Sequence, residues 1–292
     1  MADLPEEENT KLDGNEVSEA SAAAFKASLE RFKHSSGNAG ETTPTVPSPI
    51  RRSTRKRQLR STEDPTTTPP TKRKRKSSSK YAPPTTYAHL SPLVDVLAPN
   101  LITIFVGFNP GIKTATSGHA YAHPSNLFWK LLHSSGCTDE RLKPEQDVDL
   151  PQLYSMGNTN IVSRPSKDAG ELSKSEMAAG TPILESKVRE FKPESVCLVG
   201  KGIWEAIWRW RYGRPIKKDE FRYGWQDEGE RMGNGDGWEG AWVFVATATS
   251  GLAAGLRPHE KEAIWRPFGE WVSQRRRERR EAEGVKGDEE EE

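Results

Sequence analysis

Asn109 is the residue whose setting points first to chemistry. It stands in Val106-Gly-Phe-Asn-Pro-Gly111, an amide held between Gly107 and the Pro110-Gly111 pair directly after an apolar run. A carboxamide is no strong base, but its oxygen accepts a hydrogen bond from a water molecule and can fix that water for attack. Such a group suits a reaction whose transition state already carries a cationic carbon, for example cleavage of a glycosidic bond by departure of the base. An asparagine in this setting can equally serve only to tie its own turn. The segment continues to Gly118 through Lys113-Thr114 and looks at first like a phosphate-binding loop. Counted from Gly107, however, the required second glycine falls on Ile112, with Gly111 one place early, which argues against nucleotide hydrolysis. His119 and His123 are four apart, but Gly118 and Pro124 oppose a helix there and no third ligand is evident, so no metal site is expected. Lys113 close to Asn109 raises a Schiff-base nucleophile as an option, with a phosphate contact or plain exposure as the alternative.

The elements around this loop predict a compact α/β body. Leu101 to Val106 is a short, nearly continuous apolar run closed by Gly107, as in a strand buried on both faces. Ser195–Val199 and Trp242–Ala246 are two further buried strands. Helices are predicted over Asn126–His133, over Thr181–Phe191 with Pro182 in its first turn, over Ile203–Trp210, and over Pro258–Ser273. In the last of these Ile264, Trp265, Phe268 and Trp271 share one face. The order implies a three-layer α/β/α fold with a central, mainly parallel sheet. Ligands in such sheets bind beyond the carboxyl ends of the strands, which directs attention to the loops after Val106 and Thr247. Phe221-Arg-Tyr-Gly-Trp225 is expected to pair with Trp242-Val-Phe as a hairpin with a disordered acidic tip.

Composition separates this body from its flanks. Of 292 residues only 33% are hydrophobic, and the formal net charge is +1. That charge is a cancellation: −5 over residues 1–50, +10 over 51–80, −2 over 81–274 and −2 over 275–292. All nine tryptophans lie from Trp129 onward, and residues 1–80 hold two aromatics, Phe25 and Phe32. Residues 1–80 are therefore expected to be a disordered tail, apart from a helical pattern over Val17–Lys33 that reads equally as a helix folding against a partner or DNA and as a transient helix without function. Within it, Arg51, Arg52, Arg55, Lys56, Arg57, Lys72, Arg73, Lys74, Arg75 and Lys76 form a block of the kind that serves as a nuclear address or a non-specific DNA arm. A solvated linker is the alternative. No apolar stretch approaches the roughly 20 residues needed to span a bilayer, and the acidic N-terminus lacks a secretory apolar core. Cys137 and Cys197 stand sixty positions apart, which excludes a CxxC zinc site and a four-cysteine cluster and fits a reduced, intracellular setting.

Several motifs occur together in order. Leu97-Ala-Pro-Asn-Leu101, Gly107-Phe-Asn-Pro-Gly111, Tyr121-Ala-His-Pro-Ser-Asn-Leu-Phe-Trp-Lys130, Arg141-Leu-Lys-Pro144, Val162-Ser-Arg-Pro-Ser166 and Val199-Gly-Lys201 resemble the mismatch-specific uracil/thymine DNA glycosylases, over about Val94 to Trp271. The resemblance implies the uracil-DNA glycosylase-like fold and a monofunctional enzyme without metal or cofactor. It places Asn109 on the asparagine that positions the attacking water. It places Tyr121 where an aromatic ring stacks on the flipped base, and Phe108, Thr114, Asn126 and Thr159 around the base pocket, Thr114 helping to set how bulky a base is admitted. It sets Ser250-Gly251-Leu252 on the DNA-contacting loop, with Leu252 as the wedge that fills the space left by the flipped nucleotide. Ala248-Thr249 departs from the Asn-Pro that leads this motif in the bacterial enzyme, so no role passes to Ala248.

The expected organisation is a basic-arm tail over 1–80, a catalytic domain over 88–274 and a charged tail over 275–292. The expected activity is hydrolysis of the N-glycosidic bond of uracil, thymine or related modified pyrimidines mispaired with guanine, on double-stranded DNA in the nucleus, by a monomer. A base inside the duplex is out of reach, so flipping is required. The altered Ala248-Thr249 pair supports the alternative of an inactive DNA-binding scaffold on the same fold.

Overall fold

A computed structural model describes residues 80–253 and 255–290; the acidic and basic blocks of the first 79 residues, and the predicted Val17–Lys33 helix, lie outside them. Five strands form one sheet in the order β2-β1-β3-β5-β4. They are β1 (Thr103–Gly107), β2 (Met156–Asn160), β3 (Ser195–Val199), β4 (Gly224–Trp225) and β5 (Trp242–Ala246). The first three pairings are parallel and β4 runs antiparallel along the edge of β5. The α/β/α architecture follows from the composition of the strands. β1, β3 and β5 are buried along their whole length, so both faces must be covered.

One face carries Phe105, Cys197 and Phe244 against α2 (Phe128–Ser134), α3 (Leu150–Tyr154) and the start of α6 (Pro258–Glu290). Trp265, Phe268 and Trp271 of α6 are fully buried there. The opposite face carries Ile104, Val106, Leu198 and Val245 against α4 (Lys174–Phe191) and α5 (Lys201–Tyr212). The remaining helix, α1 (Ile112–Ser117), follows β1 directly.

Four boundaries differ from the sequence expectation, each for a local reason. α4 begins two turns before Pro182, because Ser173 and Glu176 form a reciprocal capping box that nucleates it and the proline is carried inside the helix. α6 runs past Ser273 to Glu290, into the expected charged tail. Arg275 and Arg279 both bind Glu194, and Arg276 donates to the carbonyls of Cys137 and Tyr154, so the helix is docked as far as Arg279. The body also starts before residue 88, since the Ala82 amide donates to the Glu171 carbonyl and its carbonyl accepts from Arg164. The hairpin of β4 and β5 forms as expected, but its acidic tip is folded: Met232 pairs with Ala241, and the Gly233 amide donates to Glu185 of α4 at 2.5 Å.

Candidate active site

The loops at the carboxyl edge of β1, β2 and β5 converge. Carbonyls of Gly107, Phe108 and Pro110 accept from the amides of Ile161, Val162 and Ser166, which zips the loop after β1 onto the loop after β2. Asn109 sits at the centre of this zipper, half-buried. Its Nδ2 donates to Ser166 Oγ at 2.8 Å, to the Arg164 carbonyl at 3.0 Å and to the Pro110 carbonyl at 3.2 Å. All three partners accept, so they fix which end of the amide is nitrogen. The oxygen faces the other way, with its lone pairs free of these contacts.

Arg164 is held in turn. Its guanidinium binds Glu176 through Nε and Nη2, and the Ala82 and Glu171 carbonyls through Nη2. The hydrogen bonds from Arg164, aided by those from Ser173, hold the Glu176 carboxyl down at about 2.

Tyr121 adopts a left-handed backbone conformation (φ 53°), which an aromatic residue takes up only under constraint from its surroundings. The constraint is visible in its ring, which stacks on Phe128 with centroids 3.8 Å apart and planes 13° from parallel. Its hydroxyl is buried without a hydrogen-bond partner, and burial pushes the phenol well above its usual range, so it stays neutral. Gly107 makes room for this arrangement: a Cβ there would lie 2.5 Å from Asn160 Oδ1 and 3.2 Å from the Tyr121 hydroxyl. Asn160 pairs with Gly107 across the parallel ladder, so its side chain stands on the same face as Tyr121. Asn158, two residues earlier on that face, is buried with an unpartnered Nδ2.

Thr114 and Asn126 frame the Tyr121 loop from either side. Thr114, in the first turn of α1, accepts from the Ala122 amide at 3.4 Å. Asn126 Oδ1 accepts from the Phe128 amide at 3.0 Å and so caps the entry to α2. His119 and His123 are separate: His119 Nδ1 lies 2.9 Å from buried Asp147, while His123 Nδ1 lies 2.8 Å from Ser125 Oγ.

Two expected pocket residues are placed elsewhere. Thr159 alternates with Asn158 and Asn160, so its side chain lies on the opposite face of the sheet. There it donates to Asp95 at 2.7 Å and accepts from Lys187 at 3.1 Å. The Phe108 ring is likewise turned away and packs against the Gly200 and Gly202 turn that opens α5, where a Cβ would come within 2.8 Å of it. Only the backbone of Phe108, whose carbonyl accepts from Val162, lies beside Asn109. Conversely, Ser166 stands out in the sequence only as the end of a matched motif, and Asn160 not at all. The period-two register of β2 brings Asn160 in, a signal masked by the polar Met-Gly-Asn-Thr-Asn composition.

The loop after β5 completes the edge. Ser250–Ala253 is a turn closed by a 3.0 Å bond from the Ala253 amide to the Ser250 carbonyl. Leu252 stands near its tip, 74% exposed. Gly251 packs onto Ser125, and the Leu127 amide donates to the Thr249 carbonyl at 2.8 Å, which joins this loop to the Tyr121 segment. One edge of a parallel α/β sheet thus carries an amide held by its nitrogen, a stacked aromatic ring and an exposed apolar tip.

A family model described as the uracil DNA glycosylase superfamily matches residues 94–269. The chain belongs to that superfamily. The match covers all five strands and ends within α6, leaving the first 93 residues and the arginine-rich end of α6 outside it. A G/U mismatch-specific uracil DNA glycosylase of Schizosaccharomyces pombe is 37% identical over 192 residues, which is 65% of this chain and 56% of that protein. The chain therefore spans a little over half the length of this relative.

Proposed function

We propose that this superfamily member is a monofunctional DNA glycosylase that hydrolyses the N-glycosidic bond of uracil, and of thymine or related modified pyrimidines, mispaired with guanine. The observation that carries the reading is the orientation of Asn109. With its nitrogen committed to three acceptors, its oxygen is left to hold a water. The name of the fission-yeast relative supports the G·U substrate.

In this reading the glycosidic bond breaks with its electron pair departing on the base, leaving a cationic sugar. The water held by Asn109 adds to that carbon and releases a proton to solvent. No carboxylate hydrogen-bonds to Asn109 among the described residues, so the water is positioned more than activated, and a slow, dissociative reaction follows. Stacking on an aromatic ring stabilises a flipped base by about 1–3 kcal/mol, which makes Tyr121 the natural platform, with Asn160 beside it as a hydrogen-bonding edge. Leu252 enters the emptied stack. The basic block of residues 51–76 supplies non-specific affinity and a nuclear address.

Single-turnover assays on duplexes differing in the target base and its partner test the proposal. Abasic product from G·U, absent in Asn109→Ala, is expected. Binding to DNA without any product would replace this reading with that of an inactive scaffold.

A further inference from the structure

The loop that presents Leu252 is held at both ends by a single side chain. Lys261, in the first turns of α6, is 4% exposed. Its Nζ donates to the Ala248 carbonyl and to the Ala253 carbonyl, each at 3.0 Å. No carboxylate pairs with it among the described residues. A buried ammonium without a counter-charge is costly, and desolvation accordingly lowers its pKa. Packing alone does not require a charge here: a leucine or methionine would fill the same helix face at no such cost. What a lysine adds is a compact point charge with three donors, able to draw together carbonyls from two directions.

The two carbonyls it draws together flank the turn. Between them Thr249 accepts from Leu127, and Ser250 accepts from Ala253. Strand β5 is anchored just before by the Trp265 indole, which donates to Thr247 at 3.0 Å. The Ser250–Ala253 bond is local and the Thr249 bond leads away to Leu127, whereas among the described residues it is Lys261 that ties the loop's entry to its exit.

We propose that Lys261 is a positioning residue whose ammonium clasps both ends of Ala248–Ala253 and sets the height at which Leu252 enters the DNA duplex. The proposal rests on the reading of Leu252 as a DNA wedge. Without the clasp the turn can still close, but Leu252 no longer has a fixed projection.

The test uses the full chain with Lys261→Met, which keeps the apolar stem, Lys261→Gln, which keeps donors without charge, and Leu252→Ala. Binding is measured to a duplex carrying a tetrahydrofuran abasic analogue opposite guanine and to an intact duplex. Excision is measured from a G·U duplex and from a single-stranded uracil oligonucleotide. Lys261→Met, which loses both charged hydrogen bonds, is expected to lower both the abasic-over-intact preference and the duplex-over-single-strand ratio by about tenfold or more. Lys261→Gln falls between it and the wild type, and carries the comparison if Lys261→Met does not fold. Combined with Leu252→Ala, the lysine change adds little further loss, since both act through the same wedge. Additive losses, or unaltered ratios in both lysine variants, overturn the proposal. Binding to the abasic duplex needs no turnover, so a chain that excised no base would refute the glycosylase reading while leaving this one decided separately.

Discussion

Asn109 Nδ2 donates to Ser166 Oγ at 2.8 Å, and Ser166 Oγ donates onward to the Asp168 carbonyl, also at 2.8 Å. The serine proton is therefore spent on Asp168, and only its lone pairs face the amide. A hydroxyl so constrained selects the nitrogen of Asn109 and turns the oxygen toward the open side. With Asn109 in the proposed role of holding the water, Asn109→Ala should lower single-turnover excision from G·U by about 10²-fold or more. Ser166→Ala leaves the two carbonyl acceptors in place and should cost about tenfold. Asn109→Asp would set a carboxylate oxygen against the Pro110 and Arg164 carbonyls. It should be no better than alanine at neutral pH, and should recover activity as the pH is lowered and the carboxyl gains a proton to donate.

Thr159 bridges Asp95 and Lys187 on the face of the sheet away from Tyr121. Thr159→Ala should accordingly leave the order of preferred bases as it is in the wild type. It should cost about 1 kcal/mol of stability from the missing hydrogen bonds, read from urea unfolding. A changed base preference would return Thr159 to the pocket.

The contrast between these two residues shows how far sequence patterns reach. β3 and β5 are legible because Ser195–Val199 and Trp242–Ala246 are unbroken buried runs, the first bounded by Glu194 and Gly200 and the second closed by Thr247. β2 is not, because Met156–Asn160 buries asparagines at a sheet edge and carries no apolar alternation. The face on which Thr159 stands depends on the register of that strand, so a motif match places the position without its side chain. Asn109 is legible because it stands in a turn whose glycines and proline announce themselves. The start of α4 is hidden because Pro182 reads as a first-turn residue, whereas the Ser173–Glu176 box two turns earlier dominates.

Acid should act on this site through Glu176. Arg164 holds its carboxyl at about 2, against an ordinary value of 4.5. A carboxyl whose folded value is depressed stabilises the fold fully above its unfolded value and loses that contribution as the pH falls through the folded one. The stability difference between wild type and Glu176→Gln should be constant above about pH 5 and shrink between about pH 4.5 and 2. Urea unfolding at a series of pH values measures it. A constant difference across that window would mean that the pair does not govern acid sensitivity.

The block of twelve basic and two acidic residues over 51–80 lies before the folded body, which is itself close to neutral. If the block neutralises phosphates, deleting residues 1–79 should weaken binding to undamaged duplex and flatten its dependence on salt. The log–log slope should change by about 0.9 for each phosphate that the segment neutralises. Lys80 and Ala82 are kept because the Ala82 backbone is bound by Arg164 and Glu171. An identical slope with and without the segment would reduce it to a linker or an address.

Gly107 offers a test of the pocket floor that leaves every polar group present. Its missing Cβ leaves room for Asn160 Oδ1 and the Tyr121 hydroxyl, at 2.5 and 3.2 Å from where that carbon would be. The Asn160 approach is too close to be tolerated without movement, and Tyr121 is already confined by its stack on Phe128. Gly107→Ala should therefore displace Asn160 first, lowering excision by about tenfold or more through a misplaced hydrogen-bonding edge. The strand itself gains propensity from the exchange, so the melting temperature should fall by no more than a few degrees. If activity were kept, the floor between Asn160 and Tyr121 would not be where the base rests. If activity and melting temperature collapsed together, Gly107 would be serving the sheet and not the pocket.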